Sequence, residues 1–369
     1  MEVPMSRFVL PEYHHPDFSS PGLRDAPVAR FAPCVRAGVA PADYHATAIY
    51  PEYVQTVKGK WILLRQSRMD CVIRKVNDDT LEVVEFRRLK VGDLVAVGRR
   101  ENGEDGIYVH TTGFMGADAE ACEKFAFRTS TSRETSFSID YDTLYEILRH
   151  DRKNGFILWV GGPAVIFDSD ARRAFASLVD KGYVHGLLAG NALATHDLEG
   201  ALYETALGQG IYSKKQASMG HYHHLDAINA IKGYGSIEQA VHQGGVLNGV
   251  MRAVVENKVD YVLAGSIRDD GPLPGVVGDV YAAQDCMRAL ARKATTVIAM
   301  ATQLHTIATG NMTPSYQVME DGSVRPVYFF IVDMSEFAAG KLADRGSLTA
   351  HAILTNVQDF IVNLNRALV

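Results

Sequence analysis

Five apolar runs in the second half of the chain end alike, and that shared ending restricts the possible folds more than any other feature. FILWVGGP reaches Gly161 and Gly162, HGLLAG passes into NALATHD, DYVLAG into SIRDDGPLPG, TTVIAM into ATQLHTIATGN, and VYFFIVD closes on Asp333. Between the runs, apolar residues recur at helical spacing near Asp170 to Lys181, Asp197 to Leu207, Ile237 to Glu256 and Val280 to Lys293, and a last helix follows the fifth run. Continuous apolar strands bounded by glycine and alternating with helices predict a parallel sheet covered on both faces, an α/β domain over residues 141–369.

Ligands of such sheets bind beyond the carboxyl ends of the strands. Glycine there lets a ligand approach the backbone, Asn and Thr supply hydrogen bonds, and an acidic residue after a strand suits a ribose hydroxyl pair. Each candidate also has a plainer reading. GGP fits a tight turn, since GxGxxG is absent. Asn191 can cap a helix, Asp269 and Asp270 can cap the turn before Pro272, Asp333 can be a loop residue, and His305 can be a satisfied, half-buried histidine. Their congregation at one end of successive strands points to a bound nucleotide.

The first half reads differently. Residues 1–45 hold seven prolines and little periodicity, so this leader is expected to be mostly irregular and to wrap over a neighbouring surface or a partner subunit. Residues 46–140 form a small β-rich domain, with the short runs KWILL, CVIRKV, TLEVVEF, DLVAV and GIYVH separated by Asn, Asp and Gly turn residues. The stretch QVMEDGSVRP, before the fifth apolar run, reads as a β-hairpin near the cleft.

A net charge of -6 with no dense Lys/Arg cluster argues against nucleic acid. No run approaches the roughly 20 apolar residues that span a bilayer, and the N-terminus lacks a signal-peptide pattern, so the expected location is the cytoplasm. Cys34, Cys71, Cys122 and Cys286 lie far apart without CxxC pairing and read as reduced thiols. HYHH at His221 to His224 lacks the companions of a zinc site, so no metal is expected. GxSxG and Walker motifs are absent.

Taken together, GNALATHDLEGALYETALG, GSIRDDGPLP, AQDCMRAL, ATQLHTIATGNMTPS and KLADRGS resemble the archaeal-type NAD-dependent ornithine cyclodeaminases, a family that includes the C-terminal part of cyanobacterial arginine dihydrolase/ornithine cyclodeaminases. The similarity runs from about Pro41, through GKWILLRQSRMDCVI, to the C-terminus. It implies a deoxyhypusine-synthase-like Rossmann domain that holds NAD, behind the small β-rich domain, in a homo-oligomer, a tetramer. Matched residue by residue, it implies NAD contacts at Asn191, Ala192, Asp270, Thr302, Gln303, Leu304, His305, Asn356 and Val357, with Asp333 on the adenosine ribose. Family members usually have Met at the position of Gln303 and an acidic residue at that of Asn356. They also usually begin with a module of the lysine-oxoglutarate reductase/saccharopine dehydrogenase type, which is missing here or replaced by the Pro-rich leader.

The reaction so implied converts L-ornithine to L-proline and ammonia. Hydride leaves Cα, the side-chain amine attacks the resulting imine, ammonia departs, and the hydride returns. A base and a dry pocket are required. The candidate bases and orienting groups are Lys341, Asp344 and His305, although Lys341 and Asp344 can equally form a surface helix pair. Arg133 and Glu134 can meet substrate or belong to a solvated linker. The alternatives are an NAD-dependent enzyme acting on another amino acid or amine, and an NAD-binding protein without chemistry.

Overall fold

The computed structural model describes residues 9–114, 138–269, 271–335 and 348–369. Asp270, Lys341, Asp344, Arg133 and Glu134 lie outside the described residues. Among those described, six strands form one sheet: the first Ile157–Gly161, the second Gly186–Gly190, the third Asp260–Ala264, the fourth Thr296–Met300, the fifth Tyr328–Asp333 and the sixth Thr349–Leu354. Their spatial order is 3-2-1-4-5-6, with every neighbouring pair parallel.

Alternate side chains leave the sheet on opposite faces. Ile157, Trp159, Ile298 and Met300 enter one apolar core, while Leu158, Val160, Val297 and Ala299 enter the other. Burial on both faces is why these strands are apolar without a break. Trp159 is fully buried, and its indole N–H donates to the Tyr183 carbonyl at 2.9 Å. Burying such a ring contributes about 1.5–3 kcal/mol. The sixth strand is only partly buried at the sheet edge, so it has no comparable apolar run to announce it.

Helix Ser169–Asp180 begins where the Asp168 side chain accepts from the N–H groups of Asp170 and Ala171. The long helix Ser138–Asn154 was not expected, and His221 to His224 stand at the start of a further helix, Gly220–Tyr234. The expected helix over Ile237 to Glu256 is two helices, Ile237–His242 and Val250–Glu256. The break has a long-range cause: Asp197 accepts from the N–H groups of Val250 (3.0 Å) and Met251 (2.7 Å), which starts a new helix there.

Upstream, Arg30–Pro33 pairs with Leu94–Val97 in a four-stranded antiparallel sheet, beside a three-stranded sheet centred on Glu52–Val57. The leader also holds one helical turn, Pro21–Arg24, and sends Tyr13 into an aromatic cluster with Tyr53 and Tyr316. The expected hairpin exists as Tyr316–Val318 paired with Val324–Pro326, but it lies at the edge of the sheet away from the cleft. Parallel geometry requires this, because the hairpin immediately precedes the first residue of the fifth strand. No described helix is long and apolar enough to cross a membrane.

Candidate functional site

The strand order reverses between the first and fourth strands, which leaves a crevice beyond their carboxyl ends. At its floor the two chain segments touch: the Gly162 N–H donates to the Met300 carbonyl at 2.9 Å, and a Cβ on Gly162 would fall 2.0 Å from the Ala301 carbonyl oxygen. Only glycine fits there. Ala301 turns the chain out of the fourth strand with φ +49°, a left-handed conformation costing about 1–2 kcal/mol for a residue with a Cβ.

Thr302 then stands at the N-cap position of helix Gln303–Met312, so the segment proposed to hold the dinucleotide is a first helical turn and not a loop. Gln303 and Leu304 are exposed, and the open N–H groups of this turn suit a phosphate. The helix reaches back across the end of the first strand. There the His305 ring sits against Gly190 of the second strand, where an added Cβ would lie 2.9 Å from His305 Cε1. Burial pulls the His305 pKa below its ordinary value, against an opposing pull from Asp269, so neutral imidazole is favoured.

Asn191 opens helix Asn191–Tyr203 directly after that strand. Its Oδ1 accepts from the Leu273 N–H (3.0 Å) and from Thr195 Oγ1 (3.2 Å), which ties the second strand to the loop after the third and leaves the amide N–H groups for another acceptor. Asp333 ends the fifth strand, where Oδ1 accepts from the Ser335 N–H at 2.8 Å. Asn356 caps helix Val357–Leu368 through the Gln358 N–H at 2.8 Å, and Val357 is buried in the core, so it can offer a ligand only its backbone. Asn191, Ala192, Thr302 to His305, Asp333, Asn356 and Val357 therefore share one edge of the sheet, while Asp270, Lys341 and Asp344 lie outside the described residues.

The helix after Gly190 starts at Asn191, not near Asp197, and residues Leu193 to Gly200 are buried on every side. Its charges are internal anchors. Asp197 pairs with Arg172 at 2.6 Å, and Arg172 also holds Asn248. Glu199 accepts from His196 Nδ1 (2.8 Å), Thr205 Oγ1 (2.9 Å) and the N–H groups of Leu207 (3.1 Å) and Gly208 (2.9 Å). Burial pushes its carboxyl pKa up, but these donors outweigh burial and hold it below the ordinary range. Because Thr205 donates to Glu199, it accepts from His223 Nδ1 (2.8 Å), which fixes that tautomer. Among the described residues, no three His, Cys, Asp or Glu side chains are arranged to hold a metal ion.

A 3-2-1-4-5-6 parallel sheet behind an antiparallel β region, with a glycine-floored crevice at the reversal of strand order, defines the class as Rossmann-type α/β. Residues 143–364 match the family described as arginine dihydrolase ArgZ-like, C-terminal, Rossmann fold. The chain belongs to this family, together with the archaeal ornithine cyclodeaminases. It is similar to ornithine cyclodeaminase of Methanocaldococcus jannaschii, 41% identical over 337 residues that cover 88% of this chain and 74% of that protein. A crystal structure of a conserved Methanococcus maripaludis protein described as LOR/SDH superposes with a TM-score of 0.79 at 34% identity, covering 94% of this chain and 98% of that one. The ternary complex of AgrE with ornithine and NAD+ gives a TM-score of 0.56 at 30% identity, covering 94% of this chain and 46% of that one.

Proposed function

We propose that this chain is an NAD-dependent cyclodeaminase that converts L-ornithine to L-proline and ammonia. The observation that carries the reading is the 41% identity to a protein named ornithine cyclodeaminase, sustained over 88% of the chain. The cleft suits NAD: Gly162 clears the floor at the strand reversal, the turn Gln303 to His305 offers backbone donors, and Asp333 has a carboxylate oxygen left for a ribose. Bound there, NAD would take a hydride from the substrate Cα and give it back to the cyclic imine.

The protein's own groups would do the rest. His305, kept neutral by burial, holds the open nitrogen that takes a proton from a substrate ammonium, and its seat on Gly190 fixes the ring. The amide N–H groups of Asn191 orient a carboxamide or carboxylate acceptor. Asn356 and Val357 close the far end of the cofactor through the helix N-terminus. Lys341 and Asp344 remain candidates for a second proton-handling pair. The same proposal places the chain in a homotetramer in the cytoplasm, with exposed apolar residues such as Leu207, Tyr212, Met219 and Leu247 available for subunit contact.

The test is incubation of the purified protein with Cα-deuterated L-ornithine and a catalytic amount of NAD. Proline that retains the label, formed with one equivalent of ammonia and no net NADH, supports the reading. Steady NADH accumulation would show a stoichiometric oxidoreductase acting on an amine instead.

A further inference from the structure

The cleft occupies one edge of the sheet, and a second cavity of about 960 Å3 opens at the other. Four stretches distant in sequence wall it: leader residues 10–15, the sheet edge at residues 150–156 and 293–295, and hairpin residues 317–325. None of them enters the chemistry proposed above.

Three of its lining residues, His150, Thr295 and Arg325, are held from behind by a buried carboxylate. Asp151, with no exposed surface, accepts from Arg325 Nη1 (2.8 Å) and Nη2 (3.1 Å), from Thr295 Oγ1 (2.6 Å) and Thr296 Oγ1 (2.8 Å), and from His150 Nδ1 (2.7 Å). On the hairpin wall, Gln317 Nε2 donates to the carbonyls of Arg292 and Ala294. On the leader wall, His15 Nδ1 and the Tyr13 hydroxyl meet the Tyr53 hydroxyl at 2.8 and 3.0 Å. Walls fixed this way need little reordering to receive a ligand.

The rim has the opposite character. Lys153, Glu320 and Glu12 are exposed, line the same space, and have no ion-pair partner among the described residues. Lys293 has one ion-pair partner among the described residues, Asp260 at 3.4 Å, and its ammonium lies 5.7 Å from the centre of the Phe156 ring. Lysines on the sheet side and carboxylates on the hairpin and leader sides thus border one cavity without closing on each other. Such an arrangement complements a small molecule that carries both signs of charge. We propose that this cavity is a second ligand site, which binds a free α-amino acid with its carboxylate toward Lys153 and Lys293 and its ammonium toward Glu12 and Glu320.

The test is calorimetric titration of the NAD-free protein with L-ornithine, L-arginine, L-proline and L-glutamate as probes. The expected result is saturable binding of at least one probe, weakened about tenfold or more by either Lys153→Glu or Glu320→Lys. Both residues are exposed and have no ion pair among the described residues, so unchanged melting of the variants certifies their folds. His305→Ala should leave this binding intact while abolishing turnover, which separates failure here from failure of the functional reading. Absence of saturable binding by all four probes, or binding that neither charge reversal moves, would overturn the proposal.

Discussion

A single methyl group tests whether the seat of His305 matters to the reaction. Gly190→Ala adds a Cβ 2.9 Å from His305 Cε1 and 3.6 Å from the Ala264 carbonyl oxygen. Comfortable carbon contacts begin near 3.5 Å, so the imidazole must retreat by roughly 0.5–1 Å. The backbone does not object, since Gly190 has φ -101° and ψ 171°, extended values that alanine adopts freely. Alanine is a poorer N-cap than glycine, and the stability loss from that source is at most about 1 kcal/mol. A displacement of this size at a reacting group lowers turnover by roughly 10- to 100-fold. Proline formation measured under saturating NAD and ornithine should fall by that factor, with NAD affinity from a fluorescence titration changed by less than about threefold. Full turnover in a well-folded Gly190→Ala protein would refute the placement of His305 beside the reacting atoms.

The acid side of the rate profile gives a second check. With the His305 pKa below 6.5 in the folded protein, turnover should fall only as pH drops through that lower value, and an acid limb above 6.5 would count against it as the base. The unfolded chain binds the His305 proton first, so this residue also withdraws stability as pH falls from 6.5 toward the folded pKa, and none above it. Asp197→Ala strands the buried Arg172 and uncaps helix Val250–Glu256, so urea unfolding should show a loss of about 3–5 kcal/mol; a loss under 1 kcal/mol would mean the network relaxes into solvent. If Asp333 holds the ribose as proposed, Asp333→Asn removes a charged acceptor at the end of the fifth strand and should weaken NAD binding by about tenfold or more, without altering the turnover of the saturated enzyme.

The first, second, fourth and fifth strands were plain in the sequence because both faces of the sheet are buried there, which makes them unbroken apolar runs ending at the cleft, while the third, at a sheet edge, is buried only toward its carboxyl end. The positions beyond those ends followed from the parallel topology, and so did the group of polar residues gathered there. Helix Asn191–Tyr203 was harder to read. It is buried all round, so it carries no amphipathic stripe, and His196, Asp197 and Glu199 pass for an outward face when their partners are 25 or more residues away, as Arg172 is, or reside in a turn, as the Leu207 and Gly208 N–H groups do. The break before Val250 is invisible locally for the same reason, since Asp197 causes it from 53 residues upstream. The segment after Met300 is a helix despite lacking a stripe, because it lies across strand ends where its side chains meet loops as well as core. The seat of His305 on Gly190 could not be read at all, as nothing local links positions that only the sheet order brings together.

The pairing of the first strand with the fourth also sets when, during synthesis, a functional molecule can exist. Phe156 and Thr295, which bond at the base of that pair, are 139 residues apart along the chain. Contacts of such long separation form late, because the intervening loop must be ordered before the pair rewards it. A nascent chain that has not yet released Met300 from the ribosome has Gly162 with no wall opposite. A ligand that needs both walls therefore cannot guide the early steps of folding; it can only select and stabilise chains that have already closed the sheet.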